Sequence, residues 1–254
     1  MSLFESGTDA YGRFVGRYGP PLAVVHADAA GVVASDRALD VGCGPGALLA
    51  ELARRLGPSR VVGVDPSRPF VELARAAVPG ADVQLASAED LPFDDGAFDV
   101  VMSQLVVSFM TDAVGGVSEM RRVARRTVAS CVWDYAGQMT MLRTFWDAVL
   151  ELDPDAPDEA RSMPYASRDQ LHALWQRCGL RAVTTGQLVA GADYADFDDF
   201  WTPFLAGIGP AGAYVATLDA ERRGALRAAC FRRLGAPVGP FHLDARAWFV
   251  RGEV

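Results

Sequence analysis

The segment Ala38-Leu-Asp-Val-Gly-Cys-Gly-Pro-Gly46 constrains the fold of this chain more than any other, because it places three glycines where one periodicity gives way to another. Before it, residues 37–41 form a short apolar run typical of an interior parallel strand. After it, residues 47–56 have helical periodicity that ends at Gly57-Pro58. Glycine permits positive φ and lets a ligand touch the backbone, and the first free N–H groups of the helix point towards that ligand. The segment therefore predicts a loop that holds a nucleotide-like cofactor.

Composition limits the partners of this loop. The chain has 254 residues, of which 50% are hydrophobic and 22% charged, which is enough to bury the core of one large α/β domain. Its formal net charge is −8, so nucleic acid would meet net repulsion. The chain contains no lysine. This excludes a pyridoxal phosphate Schiff base and a Walker-type phosphate loop, both of which need a lysine amine.

The cysteines indicate a reduced environment. Cys43, Cys131, Cys178 and Cys230 are scattered and have neither CxxC nor Cys/His zinc spacing, so we expect no metal site. The first residues lack the basic start and apolar run of a signal peptide, and no segment approaches the ~20 apolar residues of a membrane span. We expect a cytoplasmic protein with no membrane partner. Nothing in the sequence indicates its oligomeric state.

Strand-like and helical runs alternate from residue 38 onwards, the pattern of an α/β fold with a doubly wound, mostly parallel sheet. Further strands are predicted at 61–65, 82–86, 97–103, 127–133, 180–189 and 243–250, and helices at 68–77, 114–126, 139–152 and 167–178. This predicts a single domain with an N-terminal helical cap (1–35), a core (36–190), a helical lid insertion (191–240) and a final strand (241–254).

The glycine loop alone leaves two cofactors open. Residues 42–47 also satisfy the GxGxx(G/A) fingerprint of NAD-binding folds, and Asp65 follows after about 20 residues, as that fingerprint expects. Asp65 could accept both ribose hydroxyls of any adenosine, or it could simply cap a turn. Asp40 decides between the cofactors, because a carboxylate beside the loop would face a cationic amino or sulfonium group and would repel a pyrophosphate. Asp40 favours S-adenosylmethionine (SAM) over NAD.

Three further segments carry a family resemblance: Val62-Gly-Val-Asp65, Ser87-Ala-Glu-Asp-Leu-Pro-Phe93 and Phe98-Asp-Val-Val101. With the glycine segment they resemble the successive motifs of class I SAM-dependent methyltransferases, above all the small-molecule group called methyltransferase type 11. The resemblance extends over residues 36–134. It implies a Rossmann-like seven-stranded sheet of order 3-2-1-4-5-7-6 with an antiparallel last strand. SAM would lie across the carboxyl ends of strands 1, 2 and 4 and leave as S-adenosylhomocysteine.

The resemblance also implies roles for individual residues. Asp40 and Gly42 would hold the methionine moiety, which Gln104 would also approach, and Asp65 would hold the ribose. The other residues implied at the cofactor are Gly44 and Gly46 of the loop, Pro66 for adenine packing, and Ser87, Ala88 and Glu89 at the adenine edge.

Ser87 departs from the family pattern, since many members carry an aspartate there. Its neutral hydroxyl would make a weaker contact with the adenine amino group, which Glu89 or a backbone carbonyl would share. Glu89 could equally be a solvated loop acid. In the N-terminal segment, Arg17 would pair with the cofactor carboxylate and Tyr11 would cover the cofactor; the alternatives are a surface arginine and a packing tyrosine.

Methyl transfer is an in-line displacement that depends mainly on alignment in a dry pocket, so no general base is obligatory. A hydroxyl acceptor is the case in which a base could be required. The candidates are Asp134 and Tyr135, just beyond the fifth strand, and His172 and His242. A lone histidine is more often structural, as we expect for His26.

An aromatic stripe indicates where the acceptor would bind. Phe197, Phe200, Trp201 and Phe204 are spaced to form one face of a helix. Our hypothesis is a lid over a small, partly hydrophobic acceptor, although such a stripe can equally be core.

The segment Ser103-Gln-Leu-Val106 lacks the Asn/Asp-Pro-Pro-aromatic motif of amino-methylating DNA enzymes, and no cysteine follows a proline, as cytosine C5 enzymes require. The sequence predicts a small-molecule O-, N- or C-methyltransferase; the alternatives are an NAD(P)-dependent oxidoreductase and a catalytically silent SAM-fold binding protein.

Overall fold

The computed structural model describes residues 12–254, and its strands form one seven-stranded sheet. The strands are β1 (Ala38–Val41), β2 (Val61–Asp65), β3 (Asp82–Leu85), β4 (Phe98–Gln104), β5 (Ala124–Trp133), β6 (Arg181–Tyr194) and β7 (Phe241–Glu253). Their order is β3-β2-β1-β4-β5-β7-β6. The pairs from β3 to β5 are parallel, and β7 runs antiparallel to β5. The predicted fold class, strand order and antiparallel last strand are confirmed.

The helices largely follow the sequence pattern. They are α1 (Gly19–Ala30), α2 (Ala47–Leu56), α3 (Arg68–Ala77), α4 (Ala113–Val123), α5 (Thr140–Leu152), α6 (Glu159–Ser162), α7 (Arg168–Arg177), α8 (Phe197–Trp201), α9 (Gly209–Thr217) and α10 (Ala220–Arg233). Ser167 caps α7, since its side chain accepts from the N–H of Gln170. α4 ends before its predicted limit because Ala124 already pairs with Phe98 of β4. No helix within residues 12–254 is long and apolar enough to cross a membrane.

The chain divides into two compact units. We call residues 19–133, 164–188 and 247–254 the sheet unit, and the described residues 12–18, 134–163 and 189–246 the aromatic unit. β6 and β7 contribute residues to both. Residues 134–163 thus group with residues 189–246.

The side chains of β1 alternate between the buried core of the sheet unit and the opposite face of the strand. Leu39 and Val41 belong to a buried cluster that also contains Met120 of α4 and Trp175 of α7. Because side chains alternate along a strand, Asp40 points to the opposite face of β1 from these two residues. The strand order reverses between β1 and β4, where open α/β sheets bind ligands outside the carboxyl ends of the strands.

The aromatic stripe is buried inside the aromatic unit. Phe197, Phe200, Trp201 and Phe204 are at most 5% exposed. The ring of Phe204 stacks on that of Phe145 in α5, with centroids 4.5 Å apart. In this unit the stripe therefore forms core, which is the alternative that the sequence left open.

Candidate SAM site

The glycine turn after β1 is closed by the neighbouring strand. The N–H groups of Gly42 and Cys43 both donate to the carbonyl oxygen of Val64 in β2, over 2.8 and 2.9 Å. Gly42, Gly44 and Gly46 have φ angles of +71°, +52° and +100°, which disfavour any residue with a side chain. A Cβ built on Gly44 would meet nothing within 4 Å. The backbone of Gly44 therefore borders open space that a ligand can occupy.

Asp40, in β1 directly before the glycine turn, is the most unusual group of the candidate site. It is 1% exposed, and neither of its carboxylate oxygens reaches full hydrogen-bond geometry with any described residue. Burial, with a smaller effect of the Asp65 carboxylate, raises the pKa of Asp40 to about 8, and a backbone contact with Leu49 opposes this rise. A buried carboxyl group without full hydrogen bonds is costly, so its presence calls for a ligand that satisfies it. A cationic ammonium or sulfonium group fits this requirement, and a pyrophosphate does not.

Asp65 holds the turn and remains able to bind a ligand. Its Oδ2 accepts from the N–H of Gly44 over 2.9 Å, and its Oδ1 accepts from the N–H of Ser67 over 2.8 Å. Burial raises the pKa of Asp65, and these two backbone N–H groups oppose the rise. Each carboxylate oxygen has a second lone pair. Asp65 can therefore accept ribose hydroxyls while it orders the backbone on both sides.

Glu89 has structural partners that the sequence did not indicate. The hydroxyl of Ser87 donates to its Oε2, and its Oε1 accepts from the N–H groups of Thr111 and Asp112 over 3.0 and 3.3 Å. Burial alone would raise the pKa of Glu89, but the hydrogen bond from Ser87 and those backbone N–H groups lower it. Glu89 thus ties the loop after β3 to the start of α4. Of the other residues predicted near adenine, Ala88 is buried and Pro66 is exposed.

The end of β4 presents polar atoms beside the glycine turn. The Nε2 amide of Gln104 donates to the carbonyl oxygen of Gly19 over 3.1 Å, while its Oε1 is buried and lacks a full hydrogen bond among the described residues. The hydroxyl of Ser108 is also buried without a described partner. The sequence analysis missed Ser108, although a polar residue just after this strand was a usable signal. Val106, between the two, packs on Gly42.

Arg17, which belongs to the aromatic unit, has a different partner from the predicted one. Its Nη2 and Nη1 donate to Oδ1 and Oδ2 of Asp199 over 2.9 and 3.1 Å. The guanidinium also lies over the ring of Tyr194, 4.2 Å from its centroid. The structure therefore pairs Arg17 with a protein carboxylate in place of the expected cofactor carboxylate. Tyr11 lies outside the described residues.

The four candidate general bases lie in different surroundings. Oδ2 of Asp134 accepts from Nε and Nη2 of Arg246 over 3.0 and 2.6 Å. His242 is exposed and bonds to Asp193 and Asp244, and the bond with Asp193 does most to raise its pKa. Tyr135 is buried in the aromatic unit, whereas His172 is half-buried on α7 of the sheet unit. Within residues 12–254 no group of three His, Cys, Asp or Glu side chains could hold a metal ion.

The sheet order and the glycine turn beside an unsatisfied aspartate define the class I methyltransferase architecture. Residues 39–129 match the family model described as a methyltransferase domain. Over 61% of its length, the chain is 30% identical to a demethylmenaquinone methyltransferase of Roseiflexus castenholzii, and it covers 72% of that protein. The chain belongs to the class I SAM-dependent methyltransferases, whose methyl donor is SAM.

Further comparisons give the extent of this similarity. The chain is 33% identical to a ubiquinone/menaquinone biosynthesis C-methyltransferase of Citrifermentans bemidjiense, over 37% of this chain and 43% of that protein. It spans only 35% and 37% of two other curated relatives that it matches. A solved structure of a putative methyltransferase of an antibiotic biosynthesis pathway from Anabaena variabilis has a TM-score of 0.62 at 17% identity, covering 93% of this chain and all of that one. The last comparison concerns the fold alone.

Proposed function

We propose that this protein transfers the methyl group of SAM to a small, partly hydrophobic acceptor molecule. The observation that carries the proposal is the Asp40 carboxyl, which is buried without a full hydrogen bond beside a glycine turn, at the point where the strand order reverses. SAM, when bound, supplies a methyl group activated by its sulfonium charge. The residues of this chain then have to bind the cofactor, hold the acceptor in line and exclude water.

The binding roles follow from the polar atoms at this edge. Asp40 offers a carboxylate to the cationic methionine end, and Gln104 offers an amide N–H to the same end. Asp65 accepts the ribose hydroxyls with the lone pairs that Gly44 and Ser67 leave unused. We assign the adenine to the surface formed by Pro66, Ser87 and Ala88. Glu89 supports this surface, because its carboxylate accepts a hydrogen bond from the hydroxyl of Ser87.

We propose that catalysis relies on alignment and desolvation without a dedicated base. Asp134 is engaged by Arg246, and His242 is exposed and engaged by two aspartates. Neither is held ready to remove a proton from an acceptor. A carbon or nitrogen acceptor, or an acceptor that is already deprotonated, fits this arrangement better than a neutral hydroxyl.

The acceptor class is supported by charge and by the relatives. The formal net charge of −8 disfavours nucleic acid. The relative from Roseiflexus is named a demethylmenaquinone methyltransferase, and one from Trichormus variabilis, 33% identical over 41% of this chain, a 2-phytyl-1,4-naphtoquinone methyltransferase. An aromatic ring of the reduced quinone type is therefore the first acceptor class to test.

The test is transfer from SAM that carries a deuterated methyl group, with mass spectrometry of the products. The acceptor panel contains a reduced naphthoquinone, a simple phenol, an aromatic amine and a short RNA. We expect labelled product with at least one small molecule and none with RNA. A protein that binds SAM and its demethylated product but labels no small molecule would instead support the catalytically silent alternative.

A further inference from the structure

His26 is a fully buried histidine on α1 that has no assigned role in the proposed site. It is 0% exposed and lies in an apolar part of the helix. Its Nδ1 is 3.5 Å from Sγ of Cys131 in β5, and its ring meets that of Phe249 edge to face at 5.7 Å. A buried imidazole needs a partner for each nitrogen. The group that faces its other nitrogen therefore decides what this residue does.

Gln104 is that group. Nε2 of His26 and Oε1 of Gln104 are both buried, and neither reaches full hydrogen-bond geometry with any described residue. Burial lowers the pKa of His26 to about 3, and the side-chain contact with Gln104 acts in the opposite direction. An acceptor oxygen beside a ring nitrogen has this effect, because it favours a proton on that nitrogen. The two atoms thus complement each other as donor and acceptor.

The carbonyl of Gly19 fixes the direction of this contact. It accepts from the Nε2 amide of Gln104 over 3.1 Å, and a carbonyl oxygen could not face the amide oxygen instead. The amide oxygen of Gln104 must then be the atom that needs a donor. Neutral imidazole carries one N–H, so His26 donates from Nε2 and accepts at Nδ1.

Cys131 completes the arrangement. Burial raises the pKa of its thiol, so the sulfur keeps its proton and can donate to Nδ1 of His26. The carbonyl oxygen of Cys131 accepts from the N–H of Leu105 over 2.9 Å. Leu105 follows Gln104 directly and has a φ of +65°, a costly conformation that is concentrated at functional sites. Side chain and backbone of Cys131 therefore both act on the position of Gln104.

We propose that Cys131 and His26 are positioning residues that fix the amide of Gln104 through a relay of hydrogen bonds. Cys131 donates to His26, His26 donates to Gln104, and Gln104 donates to the carbonyl of Gly19. The second N–H of the Gln104 amide is then directed to the methionine end of SAM. The inference rests on the proposed function in one respect, namely that Gln104 contacts the cofactor.

The relay itself is tested without ligand, by nitrogen-15 NMR of the side chain of His26. We expect the neutral tautomer with the proton on Nε2, unchanged between pH 5 and pH 8, because burial of the ring disfavours the charged imidazolium. His26→Gln identifies its signals among those of His172 and His242. A proton on Nδ1, or titration within that range, would overturn the proposal.

The action on the site is tested by calorimetry with S-adenosylhomocysteine. His26→Phe leaves Oε1 of Gln104 without a donor and should weaken binding about 10-fold. His26→Gln restores a donor and should recover most of this loss. Cys131→Ser should keep the affinity, and Cys131→Val should lower it. Phe249→Leu is the packing control, because it changes the packing against the ring of His26 but removes none of the donors or acceptors of the relay.

A double-mutant cycle separates positioning from general packing. If His26 acts through Gln104, His26→Phe should have less than about a 2-fold effect on affinity in the Gln104→Leu protein. An undiminished effect there, or wild-type affinity of folded His26→Phe, would contradict the proposal. If the wild-type protein fails to bind S-adenosylhomocysteine at all, the proposed function fails, while the NMR result still decides on the relay.

Discussion

Val106 packs so closely on Gly42 that a Cβ atom built on the glycine would lie 2.6 Å from Cγ2 of Val106. Gly42 also has a φ of +71°. Two constraints therefore exclude a side chain at this position: the positive φ of Gly42 and the contact with Val106. The turn after β1 therefore packs directly against the residues that follow β4.

Gly42→Ala should destabilise the protein by about 2–5 kcal/mol, because it adds overpacking to an unfavourable φ. Denaturant unfolding measures this loss. Gly207→Ala is the matched control: φ there is +72°, but a Cβ would meet nothing within 4 Å, so only the backbone cost of about 1–2 kcal/mol applies. Adding Val106→Ala to Gly42→Ala should recover part of the stability. Equal losses at both glycines would contradict the close packing.

Asp40→Asn should stabilise the cofactor-free protein, increasingly so as the pH rises. The unfolded chain ionises Asp40 near its ordinary pKa of about 4, whereas the folded protein keeps the proton until pH about 8. Folding therefore takes up a proton between these values, and the wild type loses stability as the pH rises through that range. The gain from asparagine should be small at pH 4 and reach the order of 2–5 kcal/mol at pH 8.

Urea unfolding at both pH values measures this gain. Asp169→Asn is the substitution control, since the side chain of Asp169 is 92% exposed and the change should alter stability by less than about 0.5 kcal/mol. A gain from Asp40→Asn that is the same at both pH values would show that Asp40 is ionised in the folded protein.

Arg246→Met should cost about 3–5 kcal/mol, because it leaves the Asp134 carboxylate buried without its guanidinium partner. The side chain of Asp134 is 5% exposed and that of Arg246 20%. The double variant Asp134→Leu, Arg246→Met removes both charges and should be more stable than Arg246→Met alone. A cost below about 1 kcal/mol for the single change would argue against a structural ion pair and would reopen the role of Asp134 as a base.

Arg17→Ala and Asp199→Ala should be coupled by about 1–2 kcal/mol in a double-mutant cycle of unfolding. Neither change should alter cofactor affinity. Arg13→Ala is the control, because Arg13 is 65% exposed and only 4.0 Å from the same carboxylate. Its effect should stay below about 0.5 kcal/mol. A specific loss of SAM affinity in Arg17→Ala would favour the role expected from the sequence.

The parts of the fold that follow from local pattern were predictable. The strand at Ala38–Val41, the glycine turn and the helix at Ala47–Leu56 are set by periodicity within a few residues. The strand order came from the family motifs and was also correct. The position of Asp40, two residues before the first glycine, marked it as a candidate ligand of the cofactor, but its burial and raised pKa were not predicted.

The partners that the sequence analysis missed are set by tertiary structure. Arg17 and Asp199 are 182 residues apart, so no local pattern connects them. Glu89 lies in the loop after β3, and its carboxylate accepts from the N–H of Thr111, which is 22 residues further along the chain. This contact depends on tertiary structure and not on a local pattern. His26 is a polar residue on the buried face of a mostly apolar helix, which marks it as unusual but does not identify Gln104 as its neighbour.

The assignment of Asp40 to the cationic end of SAM is tested by a calorimetric titration of the wild type and Asp40→Asn with SAM and with NAD at pH 8. We expect the wild type to bind SAM and not NAD. Asp40→Asn should remain folded and bind SAM at least about 10-fold more weakly, because the cationic end of SAM loses its carboxylate partner. Equal affinity of the two proteins for SAM, or binding of NAD in preference to SAM, would contradict the assignment of this edge as a SAM site.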